Sequence, residues 1–299
     1  MWQQLLLQLQ AGDRRALARC ISLVENEQEG YMAFLQSLPA LQAPVIGITG
    51  PPGAGKSSLV DALIGALTGA GKKVGVICVD PSSPFNQGAV LGDRIRMNRW
   101  FNHPDVYIRS LASRGSLGGL NQMIIEITAV LQAVGFDYIL IETVGIGQSE
   151  VEIAGLADTT VVVLVPESGD EVQNMKSGLM EVADIFVVNK SDRPDADHFI
   201  KNLRNSMQST RMVPVVKTVA VSGTGIPELL EQILQHQDRI STDKQVRLLA
   251  IKAIYILQRL QLKAYDLEKF STLIRQQLAA GNFNLFRFIR DVKLNRDGS

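Results

Sequence analysis

Gly50-Pro51-Pro52-Gly53-Ala54-Gly55-Lys56-Ser57 carries the spacing G-x-x-x-x-G-K-[ST], which is phosphate chemistry. The glycines at 50, 53 and 55 let the backbone curl until its N–H groups converge on a phosphate. Lys56 is placed to bridge β- and γ-phosphates, and the Ser57 hydroxyl to ligate Mg²⁺. Ser58 opens the helix behind the loop and joins the set expected to touch nucleotide. Far downstream, Asn189-Lys190-Ser191-Asp192 can tell guanine from adenine. The Asp192 carboxylate accepts hydrogen bonds from the ring N–H and exocyclic amine of guanine. Adenine offers no donor there and would strand a desolvated carboxylate, at a cost of about 1–3 kcal/mol or more. Together the two segments predict a GTPase.

Between them lies Ile139-Leu140-Ile141-Glu142-Thr143-Val144-Gly145, an apolar run that ends in an acid with a glycine three residues on. Small regulatory GTPases place Asp-x-x-Gly here; the acid serves Mg²⁺ and the glycine N–H meets the γ-phosphate. Glu142 is one methylene longer, and Ile146 stands where many of those proteins have a water-positioning glutamine. Slow intrinsic hydrolysis that waits on a partner is the expectation. Asp80 and Asp93 are further candidate Mg²⁺ ligands, although each by itself also reads as a cap or turn residue. One or two carboxylates beside Ser57 suffice for Mg²⁺.

The elements that must position these groups are legible in the hydrophobic pattern. Val45–Ile48, Lys73–Val79, Asp137–Ile141, Thr159–Val165, Ile185–Val188 and Val213–Ala220 are short apolar runs that predict strands. Continuous Val/Ile/Leu runs suit strands buried on both faces, hence an α/β fold with a mostly parallel sheet sandwiched by helices. The phosphate loop sits between such a strand and a predicted helix over 58–67. Asn189 closes another strand, at the edge where open parallel sheets bind ligands. Before residue 44 the pattern is helical. Trp2, Leu5, Leu6 and Leu9 share one face, as do Leu17, Cys20, Ile21 and Val24, with Asp13 placed to cap the second run. After Ser241-Thr242-Asp243, Val246, Leu249, Ala250, Ala253, Ile254, Leu257 and Leu260 return at helical spacing. A second helix is expected to end at Gly281-Asn282. The expected division is an N-terminal helical extension at 1–43, a nucleotide-binding domain at 44–240 and a C-terminal helical region at 241–299.

Thirty basic and thirty acidic residues leave no net field to gather nucleic acid or an anionic membrane, and neither is expected as a partner. The hydrophobic content of 46% is that of an ordinary globular protein, and no apolar run reaches the roughly 20 residues that span a bilayer. Cys20 and Cys78 sit in apolar surroundings and are expected as buried free thiols. With no C-x-x-C, no His-rich tract and no export or transit pattern, a cytoplasmic location is expected and a built-in transition-metal site is not.

Taken in order, the segments resemble the MeaB/ArgK/MMAA family of P-loop GTPases. The resemblance covers nearly the whole chain. It rests on Gly50–Ser57, on Val79-Asp80-Pro81-Ser82-Ser83-Pro84, on Leu91-Gly92-Asp93-Arg94 and on Leu117-Gly118-Gly119. More specific are the run from Glu142 to Glu150, E-T-V-G-I-G-Q-S-E, and that from Lys176 to Asp184, K-S-G-L-M-E-V-A-D. It implies Mg²⁺ at Ser57, Asp80 and Asp93, with Glu142 near the attacking water or the metal. It implies a mobile loop over about residues 166–176 that brings Lys176 to the nucleotide, where the residue alone reads as a solvated lysine at a helix start. Val219-Ala220 stands where the family usually has Ser-Ala, so backbone groups of Val219, Ala220 and Val221 would back the guanine. The implied partner is adenosylcobalamin-dependent methylmalonyl-CoA mutase or a related acyl-CoA mutase, served by a GTP-fuelled chaperone. Members dimerise through C-terminal helices, which makes 243–299 the candidate arm, although its stripe could equally cover the sheet. A metal-delivery GTPase and an ATP-dependent kinase linked to amino-acid transport are the alternatives; the first lacks obvious Cys/His ligands and Asp192 argues against the second.

Overall fold

The computed structural model describes residues 1–39, 43–80, 97–113, 120–143, 152–168, 179–207, 213–262, 271–272 and 274–276. The chain divides into two compact units, Met1–Leu248 and Leu249–Ser299. The first is built on a seven-stranded sheet. Its strands are β1 (Val45–Thr49), β2 (Val74–Asp80), β3 (Val106–Ala112), β4 (Tyr138–Glu142), β5 (Thr159–Leu164), β6 (Ile185–Val188) and β7 (Val215–Lys217). They lie in the order β3-β2-β4-β1-β5-β6-β7, and each adjacent pair is parallel. All residues of β1, β2, β5 and β6 are buried, which is why these strands read as unbroken apolar runs.

Helices cover both faces. α1 (Trp2–Gln10), α2 (Arg14–Glu25), α3 (Tyr31–Gln36) and α5 (Ile124–Gln132) pack on the face that carries Val45, Ile77, Val79, Ile139 and Ile141. α4 (Lys56–Gly69) and α8 (Ile226–Asp238) pack on the face that carries Ile46, Ile48, Val76, Leu140 and Val163. α6 (Leu179–Val182) and α7 (Ala196–Met207) cover Val162, Leu164, Phe186 and Val188. The alternation of neighbouring residues between the two sets is the period-2 rule of a strand. α9 (Thr242–Leu262) follows α8 in the chain.

Local signals account for the ends. The Asp13 carboxylate accepts from the N–H groups of Arg15 and Ala16, capping α2. α4 stops where Gly71 takes a left-handed φ of 72° and the Lys72 N–H returns to the Leu67 carbonyl. Two elements depart from the pattern. β3 has no counterpart among the expected strands: its run V-Y-I-R-S-L-A is broken by Arg109, whose guanidinium reaches Ser22 Oγ at 3.0 Å and Glu25 at 3.1 Å on α2. β7 is shorter than the expected Val213–Ala220: it spans Val215–Lys217, Val219 bridges to Thr224 instead, and a 3₁₀ turn begins at Ala220. The expected helix end at Gly281-Asn282 lies outside the described residues. Both cysteines are buried and neither is in a disulfide, and burial pushes the Cys20 thiol up to about 12. No described helix is long and apolar enough to cross a membrane.

Candidate functional site

The carboxyl ends of β1, β4, β5, β6 and β2 meet at the edge of the sheet that carries the phosphate-loop sequence, and the loop's shape is fixed by what surrounds it. Gly50 follows β1 with φ 139°, and a side chain there would run into the Val163 carbonyl of β5. Gly55 has φ 87°, and a side chain there would meet the Asn189 amide. Gly53, with φ 76°, faces open space. Pro51 and Ala54 are buried, while Pro52 and Gly53 are exposed at the tip. Lys56 is 8% exposed and donates to the carbonyls of Gly50 at 2.8 Å and Pro51 at 3.1 Å. Its ammonium is thereby held along the loop's own curve.

Ser57, the second residue of α4, donates from Oγ to Glu142 Oε1 at 2.7 Å. With its proton directed at Glu142, the hydroxyl presents the kind of oxygen donor that a hard cation takes. Glu142 ends β4 and Asp80 ends β2, the neighbouring strand; both are almost fully buried. Ser57, Glu142 and Asp80 thus offer only oxygen, the donor set that a hard divalent cation takes. Asp93, Gly145 and Lys176 lie outside the described residues.

The guanine-reading segment is braced to the phosphate loop by Asn189. Its Nδ2 donates to the Ala54 carbonyl at 2.9 Å, while its Oδ1 accepts from Thr218 Oγ1 and from the Ala220 N–H, both at 3.1 Å. One buried amide therefore joins three loops, and losing it would leave several buried groups unsatisfied, at about 1–3 kcal/mol each. Lys190 adopts a left-handed φ of 55° and donates from Nζ to the Gly53 carbonyl at 2.7 Å. Ser191 N and Oγ both donate to the Thr218 carbonyl. Asp192 is exposed beyond them. Arg193 pairs with Glu167 just past β5, and that hydrogen bond holds the Glu167 carboxyl below its usual range.

Val219, Ala220 and Val221 follow Thr218. Val219 forms an antiparallel bridge with Thr224, and Gly225, at φ 76°, closes against the Lys217 carbonyl where no side chain would fit. Ala220 is buried and Val221 is 88% exposed. A cleft of about 670 Å³ brings Ser57 and Ser58 to the same opening as Ala220 and Val221, with Asp61 and Arg99 on its wall. Residues from both ends of the expected set share one cavity. Arg99 and Trp100 were not singled out by sequence: both donate to Asp61 on α4, from Arg99 Nε at 3.0 Å and Trp100 Nε1 at 2.7 Å. Thr49 and Thr218 had no motif of their own, Thr143 stood in the E-T-V-G run with no role assigned, and only the strand order reveals which loops they join.

Comparison with known proteins gives the arrangement its relatives. The family model described as methylmalonyl Co-A mutase-associated GTPase MeaB matches residues 17–255. A putative GTPase of Pyrococcus abyssi is 49% identical over 248 residues, covering 80% of this chain and 76% of that protein. The mitochondrial methylmalonic aciduria type A homolog of Caenorhabditis elegans is 39% identical over 210 residues, 64% of this chain and 52% of that one. A crystal structure of a LAO/AO transport system kinase superposes with a TM-score of 0.70 at 26% identity, covering 99% of this chain and 97% of that one. Phosphate loop, guanine-reading segment and sheet order thus agree with the match along the sequence: the chain belongs to the MeaB family of methylmalonyl Co-A mutase-associated GTPases and is a P-loop enzyme that hydrolyses GTP.

Proposed function

We propose that the protein uses GTP binding and hydrolysis to gate the loading or protection of adenosylcobalamin on methylmalonyl-CoA mutase or a related acyl-CoA mutase. The observation that carries the partner is the match of residues 17–255 to a family described by its association with that mutase. The similarity to the methylmalonic aciduria type A homolog supports the same client. In this reading GTP lies across the carboxyl edge of the sheet. The N–H groups of Gly53–Ser58 face its phosphates at the start of α4, where the helix dipole favours anions. Lys56 exchanges its two loop carbonyls for β- and γ-phosphate oxygens. Asp192 takes the guanine donors, and the backbone of Val219–Val221 backs the base. Gly145 meets the γ-phosphate, and Lys176 reaches the nucleotide when the client docks.

Mg²⁺ fits the oxygen set of Ser57, Asp80 and Glu142, with Asp93 as a further ligand, and would neutralise phosphate charge there. Glu142 orients the Ser57 hydroxyl through the 2.7 Å bond. With Ile146 in place of a water-positioning glutamine, the chain turns over slowly alone and faster when the client supplies what is missing. The active molecule is a homodimer in the cytoplasm. The apolar stripe of α9 supports self-association: Val246, Leu249, Ile254 and Leu257 are each more than half exposed.

The test is GTP turnover of the full chain with and without purified adenosylcobalamin-dependent mutase. Stimulation of about tenfold or more, lost in Lys56→Ala, is the expected result; turnover indifferent to the mutase would overturn the client.

A further inference from the structure

Two hydroxyls beneath the nucleotide edge have no place in the reading above. Thr49 is the last residue of β1, immediately before Gly50, and Thr143 is the first residue beyond β4, immediately after Glu142. β1 and β4 are neighbours in parallel register, with Ile48 opposite Glu142. The backbone ladder between them ends with the Thr143 N–H donating to the Ile48 carbonyl at 3.1 Å. One step further, Thr143 Oγ1 donates to Thr49 Oγ1 at 2.8 Å. Thr49 is fully buried and Thr143 is 2% exposed, so neither hydroxyl can exchange its partner for water.

This pair is a side-chain rung added where the backbone rungs stop. With the Ser57–Glu142 bond it forms a second tie between the phosphate-loop module and the end of β4. One tie holds the Glu142 carboxylate and the other holds the main chain on its far side. Stiffness at that point matters because displacing a reacting group by about 1 Å can cost on the order of a hundredfold in rate. Binding of GTP is spread over many more contacts and depends less on this one junction.

We propose that Thr49 and Thr143 are positioning residues for GTP hydrolysis: their hydroxyl–hydroxyl bond fixes the acid-bearing end of β4 against the root of the phosphate loop, so that it governs turnover more than affinity. The inference rests on the nucleotide placement proposed above.

The test uses the full chain with Thr49→Val, Thr143→Val, the double valine variant and Thr143→Ser. Single-turnover hydrolysis at saturating GTP and Mg²⁺, GTP affinity and Tm are measured for each. Each single valine is expected to lower the hydrolysis rate about tenfold while GTP affinity stays within about threefold. Thr143→Ser, which keeps the hydroxyl, returns the rate to within about twofold. Removing both hydroxyls leaves no buried polar atom stranded, so the double variant regains Tm without regaining rate. Rates within twofold of native in the single variants overturn the proposal. So does a double variant in which rate recovers together with Tm, since the pair would then serve stability alone. If a single valine variant fails to fold, the double variant and Thr143→Ser carry the test. Ser57→Ala separates this idea from the placement it rests on. Native turnover in that variant means the nucleotide sits elsewhere, whereas lost turnover with native Thr143→Val means only the threonine pair was misread.

Discussion

Helices α1 to α3 and helix α9 carry the same kind of sequence, apolar residues at three- and four-residue spacing on a polar background. In the first set Leu9, Leu17, Ile21, Val24 and Phe34 are all buried in one cluster with the sheet and α5. In α9 Val246 is 60% exposed, Leu249 59%, Ile254 54% and Leu257 58%. The pattern reports only that a helix has an apolar face; whether that face lies in the core or waits for a partner depends on what else the fold brings to it. For α1 to α3 the partner is built in. Arg109 on β3 reaches across to Ser22 and Glu25, so the edge strand and the helical extension complete each other.

The sharpest way to break this contrast is Ile21→Ala. Ile21 is fully buried, and the cavity should cost about 2–5 kcal/mol in urea or thermal unfolding. A loss below about 1 kcal/mol would mean that the extension is an accessory, no more integrated than α9.

The root of α9 provides an intermediate case. Lys244, in its first turn, donates to both oxygens of Asp184, at 2.9 and 3.0 Å. Asp184 also accepts from the Thr160 N–H and lies 3.2 Å from His236 Nε2. Burial alone would raise the Asp184 pKa, but His236, Lys244 and the Thr160 N–H outweigh it and hold it at about 2. A folded pKa below the unfolded value of about 4 stabilises the protein above that pH. The contribution, about 2 kcal/mol, is lost as pH falls from about 4 through 2. Asp184→Asn should remove that segment of the stability–pH profile in acid titrations followed by circular dichroism. An unchanged acid limb would show that Lys244 does not anchor α9.

The smallest effect on folding is expected on the exposed stripe itself. Leu249→Glu combined with Leu257→Glu should shift unfolding by no more than about 0.5 kcal/mol. The same variant should run as a monomer in light scattering where the native chain self-associates. A large drop in Tm without a change in mass would mean that the stripe is core after all.

What the sequence made legible follows the same division between pattern and partner. Phosphate-loop spacing, N-K-S-D and buried strands β1, β2, β4, β5 and β6 are local signals, and each element appeared within a residue or two of its expected span. β3 was hidden because Arg109 and Ser110 interrupt its apolar run, and the polar interruption makes sense only beside α2. The brace through Asn189 was half visible: its type was expected, but its bonds to Ala54 and Ala220 join residues far apart in the chain. The pairing of Thr49 with Thr143 was silent, although Thr143 stands in the E-T-V-G run, since strand order alone makes them neighbours.

That dispersion bears on how the protein comes into being. The phosphate loop is an eight-residue sequence near the beginning of the chain, yet its shape depends on Glu142, Val163, Asn189 and, through Asn189, Ala220. A ribosome that has translated only the first three strands has made a complete motif without the walls that curve it. Closing those long-range pairings is slow relative to helix formation, so competence for nucleotide should emerge late in synthesis and all at once. A growing chain would stay blind to cellular GTP until its seventh strand had left the exit tunnel.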